Sequence, residues 1–201
     1  PPFSPSPPGF PPLPPQAPWT CGWATAATAS SQYSASCSFS SSQHACAATG
    51  APDVAPSCGD QNGAWSPSTS SSLPEWLQVT FAEFVLVTRV TIHETYRAPS
   101  VTQIEALNAY DTSATTIWSG TDTAGCGATP LVLHFDGSVP TRTLKISTSA
   151  SGYEQIDAVE LCGVAVPAPP ISPPLPPLPP AAPPPCSAEI DLVMVLDNSG
   201  S

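Results

Sequence analysis

Between residues 75 and 164 the chain alternates short apolar runs with turn residues. EWLQVTF (75–81), VLVTRVTIHE (85–94), VTQIEALNAY (101–110), TTIWSG (115–120), LVLHFDG (131–137), RTLKISTS (142–149) and QIDAVELCGV (155–164) are rich in Val, Ile, Thr and aromatics. Gly, Pro, Asp and Ser separate them. Runs of this length and spacing predict strands, and a succession of them predicts an all-β sandwich or barrel. Within RVTIH, Val90 and Ile92 fall on one face, Thr91 and His93 on the other. The alternation is less regular around 78–84, where Gln78, Thr80 and Ala82 oppose Val79, Phe81 and Phe84. Only SSQHACAATG (41–50) approaches a helical period.

The flanks obey no such pattern. The chain holds 29 prolines among 201 residues, well above the ordinary level of about 5%. Most lie in PPFSPSPPGFPPLPPQAP (1–18) and PAPPISPPLPPLPPAAPPP (167–185). Proline fixes φ and removes a backbone donor, so both tracts are expected to be polyproline II rods of about 3.1 Å rise and three residues per turn. Phe10 and Leu13 are three apart, as are Leu175 and Leu178, so each pair lines one edge of its rod. An apolar edge suits docking in a groove rather than a bare spacer. The division expected is therefore a rod (1–18), a globular domain (19–166), a second rod (167–185) and a terminal segment (186–201).

Charge narrows the partners. Arg89, Arg97, Arg142 and Lys145 face fifteen carboxylates, for a net charge of −11. Such a chain cannot neutralise phosphates, which argues against nucleic acid and against an anionic membrane surface. No run of about 18 apolar residues is present to insert in a membrane. A chain opening on Pro1 in a proline-rich run reads as a processed piece of an exported protein whose signal is gone.

Seven cysteines stand at 21, 37, 46, 58, 126, 162 and 186, with no C-x-x-C among them. That spacing excludes zinc ribbons and thioredoxin-type centres. Six lie in the globular stretch, which fits three disulfides and an oxidising, extracellular or cell-surface location. Spacing alone does not fix their connectivity. Because Cys21 and Cys162 bracket the domain we expect them to pair, with Cys37–Cys46 and Cys58–Cys126 as the remaining assignments. Cys186 is left over, and its partner is expected in a continuation of the chain.

Catalytic signatures are absent. HETYR (93–97) begins like a zinc-binding helix, but Arg97 stands where the second histidine is needed, and the surroundings are strand and loop. No P-loop, G-x-S-x-G or G-x-G-x-x-G occurs. We expect no enzyme activity.

Three resemblances add to this reading. The proline tracts, with Ser4-Pro5, Ser6-Pro7 and Ser172-Pro173, resemble hydroxyproline-rich glycoproteins of plant and green-algal walls, whose prolines and serines carry glycans. Ser66-Pro67 adds one such step inside the domain. AATGAPD (47–53), CGDQNGAWSP (58–67), PEWLQVTF (74–81), VTRVTIHETY (87–96) and EQIDAVELCG (154–163) together resemble the discoidin, or coagulation-factor C-type, galactose-binding-like family. That resemblance implies an eight-stranded jelly-roll sandwich whose ends meet, consistent with Cys21–Cys162. It also implies a Ca²⁺ site, for which Asp53, Asp60, Asn62 and Glu160 offer the oxygens. Sugar-binding members use loops at one end of the barrel, and His93, Tyr96, Arg97 and Trp118 are the candidates here. Trp65, Trp76 and Trp118 are expected to serve mainly as core or loop anchors.

Finally, CSAEIDLVMVLDNSGS (186–201) resembles the start of a von Willebrand factor A domain. In that family an apolar strand leads into D-x-S-x-S, here Asp197, Ser199 and Ser201, the first loop of an adhesion-type Mg²⁺ site. The remaining ligands come from later loops, so Mg²⁺ is expected only with the rest of that domain. The sum is a bead of a longer mosaic glycoprotein of a wall, matrix or surface fibre. It would assemble with copies of itself or other matrix glycoproteins through its rods. The alternative is a Ca²⁺-assisted adhesin domain that binds carbohydrate.

Overall fold

The computed structural model describes residues 17–38, 42–54, 56–68, 74–108, 113–149 and 152–167. Eight strands form: β1 (Trp19–Trp23), β2 (Ala26–Ala29), β3 (Trp76–Tyr96), β4 (Val101–Leu107), β5 (Ala114–Ser119), β6 (Leu131–His134), β7 (Pro140–Thr148) and β8 (Gln155–Ala165). A single 3₁₀ turn, Ala45–Ala48, falls inside the one stretch with a helix-like period. The all-β jelly roll expected from the strand pattern and the discoidin resemblance is the fold observed.

β3 organises it. Strand neighbours run β1-β8-β3-β7-β4-β5, with β2 and β6 also on β3, and every ladder is antiparallel. Residues 76–80 of β3 pair with β2 and β7, whereas Val85–Tyr96 pair with β8 and, over Arg89–Ile92, with β6. A register shift between Thr80 and Val85 separates the halves. Bulges bend a strand and sharpen its twist, so one continuous strand serves both layers. The same bulge explains why apolar and polar positions lose their alternation around 78–84. EWLQVTF and VLVTRVTIHE are therefore one strand, and the two missing from the sequence reading are β1 and β2. WTCGW and AATA carry no alternating apolar face and are largely exposed.

Leu77, Val79, Ile104, Leu144 and Ile146 from one layer meet Val90, Ile92, Ile156, Val159 and Leu161 from the other in a single core cluster. Side chains from two inner faces interdigitate in this way in a β-sandwich. Trp65 lies in that cluster at 0% exposure. Its backbone exchanges both hydrogen bonds with Ile156, and its indole N–H donates to Ser31 O at 3.0 Å. It is a core anchor, and it ties the loop before β3 to β8. Trp76 lies at the surface end of β3 beneath the Lys145 ammonium, 5.3 Å from its ring. Trp118 packs on the core from β5.

Three disulfides join Cys21–Cys162, Cys37–Cys46 and Cys58–Cys126, the same pairs named above. Cys21 and Cys162 are direct cross-strand partners on β1 and β8. Nearby, Ala165 N–H donates to Pro18 O at 3.0 Å, so the chain enters and leaves the barrel at one place. Ser66 is 1% exposed, so the Ser66-Pro67 step is not accessible for glycosylation. Among the described residues no helix is long and apolar enough to cross a membrane.

The chain divides into units Pro1–Pro169 and Pro170–Ser201, and the second falls wholly outside the described residues. Phe10, Leu13, Leu175, Leu178, Cys186, Asp197, Ser199 and Ser201 lie outside them too.

Candidate functional site

The loops at the Tyr96 end of β3 enclose a cavity of about 400 Å³ lined by Tyr33, Gln43, Asp60, Asn62, Ser66, Tyr96 and Tyr153. Three covalent or backbone constraints set its walls. Cys58–Cys126 fastens the Asp60 loop to the segment after β5. Gly59 N–H donates to Thr95 O at 2.7 Å and Gly127 N–H to Glu94 O at 2.8 Å, clamping both segments onto the end of β3. Gly127 has φ 82°, and a Cβ there would lie 2.3 Å from Pro56 O, so only glycine fits.

Asp60 is held from behind. Gln43 and Gln155 each donate a side-chain N–H to its Oδ1 at 2.6 Å. Gln155, fully buried on β8, also accepts from Gln61 N–H at 2.8 Å and from Thr95 Oγ at 3.1 Å. Gln43 is fixed in turn by its backbone N–H, which donates to Ser34 Oγ at 2.9 Å. Both amides are neutral, and neither ion pair seen among the described residues includes Asp60. The carboxylate is oriented without being neutralised.

Ser66 lies deep in the same wall. Its Oγ is buried and has no hydrogen-bond partner among the described residues. Such a group pays the desolvation penalty with no return unless a ligand or water supplies a partner. Tyr33 and Tyr153 meet edge to face, 5.9 Å apart, and Tyr33 is 60% exposed. Tyr96 closes the third side, with the Arg97 guanidinium 5.5 Å from its ring centre. Arg97 has φ 52°, in the left-handed region, and packs against the backbone of Gly152 beside Tyr153. Stacking rings with a few fixed polar groups is the usual make-up of a small-molecule site.

Beneath this end lies a pair of acids. Glu94 and Asp122 are almost fully buried and both accept from Ser100 N–H, at 3.1 and 3.0 Å. Asp122 accepts further from Val101 and Ala124 N–H groups, and Glu94 from Ser100 Oγ. Burial first, and then the hydrogen bond to Asp122, pushes Glu94 up to about 8. Glu94 therefore keeps its proton at neutral pH. Burial also raises Glu154, whose carboxylate accepts from Thr148 Oγ.

Of the sugar-binding candidates, the structure brings Tyr96 into the cavity and Arg97 to its margin. His93 faces elsewhere. Its ring lies 5.8 Å from Trp23, and burial lowers its pKa while Glu160 opposes that shift. Trp118 lies on β5 opposite Ile104 and does not line the cavity.

The four Ca²⁺ candidates do not come together. Asp60 and Asn62 line the cavity, but Asp53 lies exposed on the preceding loop and Glu160 is elsewhere. Glu160 follows Gln155 by five residues on β8, about 17 Å along the strand, and pairs with Arg89 at 2.9 Å beside Cys21–Cys162. Strand geometry thus separates residues that the chain order seemed to join, and this set does not fit one Ca²⁺ ion. The close Cys37, His44 and Cys46 group offers no thiolate either, since both sulfurs are in a disulfide.

The residues that the sequence reading missed are Tyr33, Gln43, Ser66 and Tyr153. They come from separate loops, and only Tyr33, an aromatic in the polar stretch SSQYSAS, carries a local signal. A second cavity, about 320 Å³ between β5 and the turn after β6, is lined by Val87, Ile117, Phe135 and Val139 among others. Among the described residues no buried, unpartnered polar atom lines it, so the tyrosine cavity is the stronger site.

Comparison with known proteins agrees with the fold. An f-lectin (fucolectin) from Morone saxatilis (striped bass) serum is 16% identical, with a TM-score of 0.50, over 71% of this chain and 49% of that one. The CBM32-1 and CBM32-2 domains of Clostridium perfringens ZmpB are also 16% identical, with a TM-score of 0.50, over 70% of this chain and 34% of theirs. The family 32 CBM of C. perfringens NanJ, solved with galactose, is 17% identical, with a TM-score of 0.49, over 71% of this chain and 99% of that one. This chain thus spans about half of the fish lectin and a third of the ZmpB structure. No curated protein sequence matches it. The sequence resemblance reached this fold without naming the family whose model matches residues 21–168, "Pappalysin-1, SD scarf domain, C-terminal". With about three quarters of its length matched, the chain belongs to the pappalysin-1 C-terminal SD scarf domain family.

Proposed function

We propose that this chain is a non-catalytic carbohydrate-binding module of an extracellular proline-rich glycoprotein, and that it binds sugar in the tyrosine cavity. The observation that carries the reading is Ser66 Oγ, buried and unpartnered in the wall of a cavity that also presents Asp60, Asn62 and three tyrosines. Sugar rings have apolar C–H faces and polar edges. Tyr33, Tyr96 and Tyr153 would stack on the former, while Asp60, Asn62 and Ser66 meet the hydroxyls. Because Gln43 and Gln155 already fix Asp60, little ordering is needed on binding. The fish protein of like fold is a lectin by name, which supports the same reading. A glycan array probed with the full chain tests it. Binding should be lost in Tyr33→Ala and in Ser66→Val, each checked for an unchanged melting temperature. Equal binding by either folded variant would refute the assignment.

A structural role in a polymer is a second reading, favoured by the two proline tracts with their apolar edges. In it the tracts are hydroxylated, glycosylated rods that dock on copies of the chain or on other matrix glycoproteins. The terminal segment would start a von Willebrand factor A domain, in which Asp197, Ser199 and Ser201 hold Mg²⁺ once later loops are present. Leu175→Asp combined with Leu178→Asp should weaken assembly and leave the barrel folded. Unchanged polymer formation by that variant would refute the docking.

A further inference from the structure

We propose that the tyrosine cavity selects a ligand bearing an ammonium group, namely a sugar with a free amine rather than a neutral or N-acetylated one. The inference rests on the reading that this cavity is the ligand site. Tyr33, Tyr96 and Tyr153 line the same small volume as Asp60. The negative face of an aromatic ring attracts a cation within about 6 Å of its centre. The Arg97 guanidinium already lies 5.5 Å from the Tyr96 ring centre, which leaves Tyr33 and Tyr153 for a ligand cation.

Asp60 supplies the second half of the case. Its two side-chain partners among the described residues are uncharged amides, both on Oδ1, so no cation there offsets its charge. The chain's other bases are engaged elsewhere. Arg89 pairs with Glu160, Lys145 pairs with Glu105, and Arg142 lies 5.1 Å from the Phe84 ring. Among the described residues no Lys, Arg or His lines the cavity, and Arg97 stays at its margin on Tyr96. A neutral sugar would hydrogen-bond to Asp60 and leave its charge as it was. A protonated amine would add a charge-assisted hydrogen bond, roughly twice as strong as a neutral one, and place its cation against the rings. Ser66 Oγ and Asn62 remain for the hydroxyls of the same ring, so the cavity accounts for both parts of an amino sugar.

The test is calorimetric titration of the full chain at about pH 6, below the ordinary amine range. The probes are a short glucosamine oligosaccharide, its fully N-acetylated counterpart and tetramethylammonium. The free-amine sugar should bind about tenfold or more tightly than the acetylated one, the ratio that about 1.4 kcal/mol of cation binding produces. Asp60→Asn keeps the oxygen that accepts from Gln43 and Gln155. It should remove that preference, so that the two sugars bind the variant with affinities within about twofold of each other. Equal affinity for the two sugars would overturn this inference and leave the carbohydrate reading intact. Binding of tetramethylammonium with neither sugar would overturn both this inference and the carbohydrate reading, leaving a bare cation site. Binding of none of the three would overturn both.

Discussion

Replacing Glu94 by Gln should stabilise the protein, and by more as pH rises. Glu94 is 1% exposed, and burial together with Asp122 raises its pKa from 4.5 to about 8. In the unfolded chain the group ionises near its ordinary value, so folding takes up a proton throughout the window between. Stability contributed by this residue is complete below about pH 4.5, falls as pH rises to about 8, and is flat above. At about 1.4 kcal/mol per pH unit, the span from 4.5 to about 8 corresponds to about 5 kcal/mol. Glutamine has the same shape, needs no proton, and can donate to Asp122 as the protonated acid does. Its carbonyl can still accept from Ser100 N–H. Denaturant unfolding of wild type and Glu94→Gln at pH 5, 7 and 9 measures the effect. The two should differ by less than about 1 kcal/mol at pH 5 and by about 5 kcal/mol at pH 9. Glu154 is raised in the same direction, so a residual slope will persist in the variant. Parallel stability profiles would refute the claim that Glu94 is folded in its protonated form.

Other substitutions probe the frame of the site. Gln155→Leu removes the buried amide that holds Asp60 and Gln61; it should cost about 1–3 kcal/mol and weaken sugar binding, read by thermal melting and titration. Gly127→Ala places a methyl 2.3 Å from Pro56 O at φ 82°, so it should lower the melting temperature and disturb the Cys58–Cys126 link, checked by counting free thiols. Cys21→Ser with Cys162→Ser opens a link spanning 141 residues, with an expected loss of about 3–5 kcal/mol in chemical unfolding. His93 is kept neutral by burial, so its contribution to stability is present above about pH 6.5 and is lost on acidification, a loss that His93→Gln should abolish in the same pH series.

The strands of the barrel were legible because β-branched and aromatic runs between turn residues follow directly from packing on a pleated face. β1 and β2 were not, since an edge strand with exposed side chains has no reason to alternate. The misjudged pair was Asp60 and Glu160. Both are acids near a turn or a strand end, but strand β8 carries Glu160 away to Arg89 while Gln155 holds Asp60. The loop CGDQNGAWSP is chemically distinctive from its own residues, and it contributes Asp60, Asn62 and Ser66 to the cavity. Gln43 and Tyr153 gave no sign, because what makes them part of the cavity is a tertiary meeting of four loops. Buried Gln155 is also invisible in sequence, where a glutamine opening a strand reads as a surface residue.

Chain entry and exit meet at Pro18 and Ala165, next to the Cys21–Cys162 bond, while Tyr96 lies about 30 Å along β3 from Val87, the partner of Gly163. Tension applied through the two flanking segments would run across that junction and its covalent link, and the rest of the barrel would hang to one side, unloaded. A ligand held at the far tip would feel none of that pull.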